Sequence, residues 1–143
     1  MAGQVSTGHG AGWVKLDDLH HANLLELLDE FAITGLSVDD IDHWNKVWHR
    51  LNPWPDTVAG LTRLKQKHIL ATLSNGNVAL IVNMAKHAPL PSDAGVGAEG
   101  GGHYKPQPEA YLKTAAFLSL APGECLMVAA HNNDLVAAGG CGL

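Results

Sequence analysis

Apolar residues recur at helical spacing from about Leu16, through Leu19, Leu24, Leu27, Leu28 and Phe31, and Gly35 is the expected stop. Ser37 stands three residues before Asp40 in capping-box form, which predicts a new helix start. That helix carries Val38, Ile41, Trp44 (or Asn45) and Trp48 inward, with both tryptophans read as core rather than ligand contacts. It ends before Asn52-Pro53-Trp54-Pro55, because the residue before a proline is pushed out of the α region. The two segments read as an αα pair. Pro55 opens a shorter helix with Val58, Leu61 and Leu64 on one side. Ile69–Leu73 is apolar with no polar face, which suits a strand buried on both sides. Ser74-Asn75-Gly76 ends it with turn chemistry, and a helix follows from about Asn77 to His87 on Val78, Ile81, Val82 and Ala85.

This α-β-α alternation predicts a parallel sheet with helical crossovers. The pattern then weakens. Residues 88–102 are rich in glycine, a poor strand former, so Ala94–Ala98 is at best a short, unstable strand. His103–Pro108 reads as a stiff loop, and Pro108 starts a helix carrying Tyr111, Leu112, Ala115 and Leu118. Pro122-Gly123 makes a turn, and Cys125–Ala130 is the second expected buried strand. Polar residues His131-Asn132-Asn133-Asp134 follow, then a last helix over Leu135–Gly139. The Gly-rich residues 1–12 read as a frayed start.

Composition narrows the function classes. The chain has 143 residues, 46% hydrophobic and 16% charged, as expected of a folded domain with a real core. A net charge of -5 gives no basic field for nucleic acid. No apolar run is long enough to span a bilayer. Cys125 and Cys141 lack paired spacing, so free thiols in a reducing cytoplasm are expected. His20-His21, His43 and His49 do not form the i, i+4 pair with a carboxylate that a helical zinc site uses.

The candidate chemistry lies at comparable places. Ser74-Asn75 follows the first expected strand, Lys105 precedes a helix, and Asp134 closes the loop after the second expected strand. In open α/β sheets such strand ends hold ligands, and backbone N–H groups at helix starts hold anions. A lysine and an aspartate near a hydroxyl and an amide suit an anionic substrate, the lysine keeping a carboxylate charged. Each residue alone has an ordinary reading: Ser74 or Asn75 as a helix cap, Lys105 as solvated, Asp134 as an N-cap.

The three motifs T-L-S-N-G-N at Thr72–Asn77, Y-K-P-Q-P-E-A-Y at Tyr104–Tyr111 and M-V-A-A-H-N-N-D-L at Met127–Leu135 resemble the haloacid dehalogenase superfamily. More narrowly they look like the type II (S)-2-haloacid dehalogenases, as does L-N-P-W-P-D at Leu51–Asp56. The resemblance implies a Rossmann-like parallel sheet with helices on both faces. Residues 1–54 would be a partial helical cap and 55–143 a partial core with an incomplete sheet. It implies that Ser74 and Asn75 bind the substrate carboxylate and that Lys105 orients a catalytic aspartate. Tyr111 would support Lys105 and Asp134, and Asp134 would hold Lys105 and position water. His131 would stand near the leaving halide in place of an asparagine, and Trp13 would be a pocket wall. The implied partner is a small 2-haloacid, with no cofactor and no metal; a homodimer is left open.

One residue separates the branches of the superfamily, and three features depart from the dehalogenase pattern: His131 for asparagine, Ala129 where some members have serine, and a missing first motif. Phosphatases of the superfamily carry a second acid four residues before the last aspartate, to hold magnesium; here that residue is Ala130. The nucleophile motif, a strand ending D-x-x-G-T, has no counterpart among Asp17, Asp18, Asp29, Asp39, Asp40, Asp42 and Asp56. The chain therefore reads as an internal fragment, expected to be inactive and poorly stable alone, with two strands left to pair with each other or stay unpaired. The alternatives are a phosphatase with an altered last motif and a non-catalytic domain that binds a small acid.

Overall fold

The computed structural model describes residues 13–143, so the expected frayed start at 1–12 lies outside the described residues. Helix α1 spans Leu16–Glu30, α2 Val38–Asn45, α3 Thr57–Lys65, α4 Val78–His87, α5 Ala98–Gly101, α6 Pro108–Phe117 and α7 Asn132–Gly140. Strands β1 (Ala71–Ser74) and β2 (Ala94–Gly97) form a parallel pair. This is an α/β fold in which an open parallel sheet is covered by helices. The helices flanking the first strand lie where the hydrophobic pattern puts them; the strand itself is shifted to Ala71–Ser74 and half-buried rather than buried on both sides, with Ile69 61% exposed.

The capping box forms as expected: Ser37 Oγ accepts the Asp40 N–H at 3.2 Å, and the Asp40 carboxylate accepts the Ser37 N–H at 2.9 Å. Helix α1 stops earlier than Gly35, because Ala32 takes a left-handed φ of 50°. The Ile33 N–H then reaches back to the Leu28 carbonyl at 2.8 Å. The second helix tightens into a 3-10 turn over Lys46–Arg50 instead of running through. Its inward face also differs from expectation. Asn45 and His49 are buried, whereas Val38 is 81% exposed and Trp44 and Trp48 are about half exposed. Ile41, Asn45 and His49 stand four apart and form the inner stripe, which turns the tryptophans outward.

Strand β2 forms despite its glycines, and one of them is required. A Cβ on Gly97 would lie 2.5 Å from the Gly76 carbonyl oxygen and 2.8 Å from Ile81 Cδ1. The close approach of β2 to α4 and to the turn after β1 therefore excludes a side chain there. The Thr72 hydroxyl reinforces the pair, donating to the Val96 carbonyl at 2.8 Å and accepting its N–H at 2.9 Å. The two faces follow strand alternation. Gly95 and Gly97 pack on Ile81 of α4, while Leu73 packs with Ala110 and Tyr111 of α6 and Ala138 of α7.

Cys125–Ala130 is a correction: it is not a strand. Cys125 has extended dihedrals, but the segment has no ladder partner among the described residues, and Leu126 and Val128 are 86% and 77% exposed. A cleft of about 670 Å³ is lined by Leu70, Ala71 and Leu73 and also by Cys125, Leu126, Met127 and Val128. An apolar sequence supplies the tendency to be a strand, but only a neighbouring backbone supplies the ladder.

Candidate active site

The site begins where β1 ends. Ser74 Oγ accepts the Gly76 N–H at 3.0 Å and so tightens the turn into α4. Its hydroxyl hydrogen has no acceptor among the described residues. Asn75 reaches across to the loop before α6: its Oδ1 accepts the Lys105 N–H at 2.7 Å and its Nδ2 donates to the Lys105 carbonyl at 3.4 Å. This two-point grip fixes the backbone of Lys105 relative to the end of β1. The Asn75 side chain is thereby committed to the loop, which leaves the backbone as its means of meeting a ligand.

Lys105 Nζ donates to Asp134 Oδ2 at 2.5 Å, and Tyr111 Oη donates to Asp134 Oδ1 at 2.7 Å. Pro108 at the first position of α6 needs no N–H partner, and from that start the helix places Tyr111 fully buried against α7. A buried phenol needs a hydrogen-bond partner, and Asp134 supplies it. Asp134 stands in the first turn of α7, where the helix dipole favours a negative charge. Partial burial pushes the Asp134 carboxyl up. The hydrogen bonds from Lys105 and Tyr111, with the charges of Lys105 and His131, outweigh it and hold the group below its ordinary value. Burial, then the bond to Asp134, raises the Tyr111 phenol well above its usual range, so it remains a donor. Each oxygen of Asp134 thus accepts one hydrogen bond, Oδ2 from the Lys105 ammonium and Oδ1 from the Tyr111 phenol, and keeps a further lone pair.

Five of the seven sequence-derived site residues, Ser74, Asn75, Lys105, Tyr111 and Asp134, fall in this cluster. His131 is exposed at the N-cap position of α7, where its side chain makes no cap bond. Trp13 is linked at one remove. Its ring stacks on Tyr104 at 6.0 Å, and Tyr104 Oη donates to the Val14 carbonyl at 2.5 Å. The Trp13 indole nitrogen is buried and unpaired among the described residues.

A second polar group joins α1, the helix after it and α4. Asp17 of α1 pairs with His49 Nε2 at 3.0 Å and accepts from Asn77 Nδ2 at 2.8 Å. His49 Nδ1 meets Asn83 Nδ2 at 2.9 Å, and Asn45 Nδ2 donates to the Asp17 carbonyl at 3.2 Å. The available signal was the four-residue spacing of Ile41, Asn45 and His49, which marks two polar residues on an otherwise apolar stripe. No group of three His, Cys, Asp or Glu residues suited to a metal occurs among the described residues. None of the described helices is long and apolar enough to cross a membrane.

The parallel sheet, with a polar cluster at its strand ends and helices packed on it, is an α/β architecture of the Rossmann-like class. A family model of haloacid dehalogenase-like hydrolases matches residues 6–142, and the chain belongs to that family. Solved structures agree. A defluorinating L-2-haloacid dehalogenase shares 45% identity at a TM-score of 0.90, over 94% of this chain and 56% of its own. A second L-2-haloacid dehalogenase shares 47% at a TM-score of 0.90, over 93% and 57%. The L-2-haloacid dehalogenase of Xanthobacter autotrophicus has the same fold, with 23% identity and a TM-score of 0.80 over 91% and 53%. The chain thus spans just over half the length of these relatives. A comparison with curated proteins gave no match.

Proposed function

We propose that the chain carries the substrate-carboxylate and lysine-anchoring half of a 2-haloacid dehalogenase site. The observation that carries this reading is the bonded series Ser74–Asn75–Lys105–Asp134–Tyr111, which sets a free hydroxyl and an oriented cation beside the end of β1. In the proposed reaction an aspartate attacks C2 of the acid, halide leaves with inversion, and water hydrolyses the resulting ester. Ser74 and the Asn75 backbone hold the substrate carboxylate. Lys105, anchored by Asp134, pairs with the nucleophile, and Tyr111 keeps Asp134 in place. Asp134 also orients the water, His131 faces the halide, and Trp13 walls the pocket.

The bonded series contains no carboxylate besides Asp134, which is already paired with Lys105, so on this reading the attacking carboxylate is not among the acids of the described cluster. The cleft between β1 and Cys125–Val128 is where a strand bearing it would lie. On this reading residues 1–54 belong to a cap, residues 55–143 belong to the core, and the 143-residue chain alone releases no halide. The free thiols of Cys125 and Cys141 would suit a reducing cytoplasm, where the proposed enzyme is expected. Ala130 in place of an acid argues against the magnesium-dependent phosphatase reading. The test is titration with lactate, the unreactive 2-hydroxy acid product. Ser74→Ala is expected to raise its dissociation constant by roughly tenfold, as loss of a hydrogen bond to a charged group does. An unchanged constant contradicts the reading.

A further inference from the structure

The turn that carries Ser74 and Asn75 is held at both ends. At one end Asn75 grips Lys105. At the other, Asn77 is 2% exposed, and its side chain makes no cap bond to its own helix. It turns instead to Asp17, sixty residues away in sequence, donating through Nδ2 at 2.8 Å and accepting the Asp17 N–H through Oδ1 at 3.3 Å. Asp17 is in turn fixed by His49, itself 3% exposed, at 3.0 Å. Asn83 presents an N–H to His49 Nδ1 at 2.9 Å, so Nδ1 accepts and Nε2 carries the proton that goes to Asp17. Asn45 grips the Asp17 carbonyl at 3.2 Å. Asn45, His49 and Asn77 are buried, so leaving any of them unpaired costs more than it would for a solvent-facing group.

We infer that Asp17 is a positioning residue that, braced by His49, fixes the Ser74–Asn77 turn through Asn77 and so sets the affinity of the site for a substrate carboxylate. The inference rests on the reading of Ser74 and Asn75 as the carboxylate-binding edge. Helix α1 lies outside the sheet, and among its links to the site the Asp17 carboxylate is the one that accepts from the Asn77 side chain at the end of the binding turn. Asp17 touches no substrate itself.

The test compares Asp17→Asn and Ser74→Ala with the unaltered chain, and uses Asp42→Asn as a control that breaks the exposed Asp42–Lys46 pair elsewhere on α2. Lactate binding and hydrogen exchange of single amides are read together. Asp17→Asn is expected to weaken lactate binding roughly tenfold. It is also expected to speed exchange at Gly76 and Asn77 by at least a like factor while the α6 amides keep their rates. Asp42→Asn is expected to change neither. A merely structural role would speed exchange across α4 and α6 alike, and that result overturns the inference. Weakened binding in Ser74→Ala with none in Asp17→Asn overturns the inference and leaves the carboxylate edge standing. No lactate binding by the unaltered chain overturns both. If Asp17→Asn fails to fold, His49→Gln, which keeps a donor toward Asp17, is expected to retain at least half of the affinity, and loss of binding there counts against the inference.

Discussion

At the scale of single residues, Asp134 and Lys105 hold the site together, and their charges depend on each other. Their side chains are 17% and 19% exposed, so solvent screens the pair only partly. Because the folded carboxyl titrates below its ordinary value, the pair stabilises the fold at pH above the ordinary carboxylate range and loses its contribution as pH falls through the lower folded value. Removing the lysine leaves burial as the larger influence. Asp134 in Lys105→Met is therefore expected to titrate above its value in the unaltered chain, measured by carboxyl carbon NMR. An unchanged titration would show that Tyr111 alone sets it. Gly97 offers a second residue-scale test. With the Gly76 oxygen 2.5 Å from an added Cβ, backbone must move, and Gly97→Ala is expected to cost about 1–3 kcal/mol by denaturant unfolding. A cost near zero would mean that β2 is not held against the turn. The motif residues were legible because their chemistry is carried by type and spacing. The need for Gly97 was not, since the stretch around it reads only as glycine-rich until β1, β2 and α4 are brought together.

Secondary-structure elements separate what local sequence decides from what neighbours decide. The capping box at Ser37, the proline start of α6 and the apolar run of β1 all act within a few residues, and all three were read from the chain. The outward turn of Trp44 and Trp48 was not, because a helix with apolar residues on two sides gives two candidate stripes. The buried Asn45 and His49 find their partners only on α1 and α4. Cys125–Ala130 shows the same limit for strands. Its composition favours an extended backbone, but no ladder forms on it. Its amides at Leu126 and Val128 are accordingly expected to exchange at rates close to those of an open chain, while those of Leu73 and Val96 are protected. Protection at Leu126 equal to that at Leu73 would show a strand partner for the segment.

In the whole molecule, the two polar networks meet at one turn. Lys105, Asp134 and Tyr111 reach it through Asn75; Asp17 and His49 reach it through Asn77. The turn lies between the layer of α1 and α2 and the sheet, and it borders the β1 strand that lines the open cleft. That placement fits the proposed reading, in which the turn holds a small carboxylate at the border of the cleft. The most direct measurement is an NMR titration of the purified chain with 2-chloropropionate, with free chloride followed in the same sample. The expected result is saturable shifts at the amides of Ser74 to Asn77 with no rise in chloride. Shifts elsewhere only, or steady chloride release, would contradict the account.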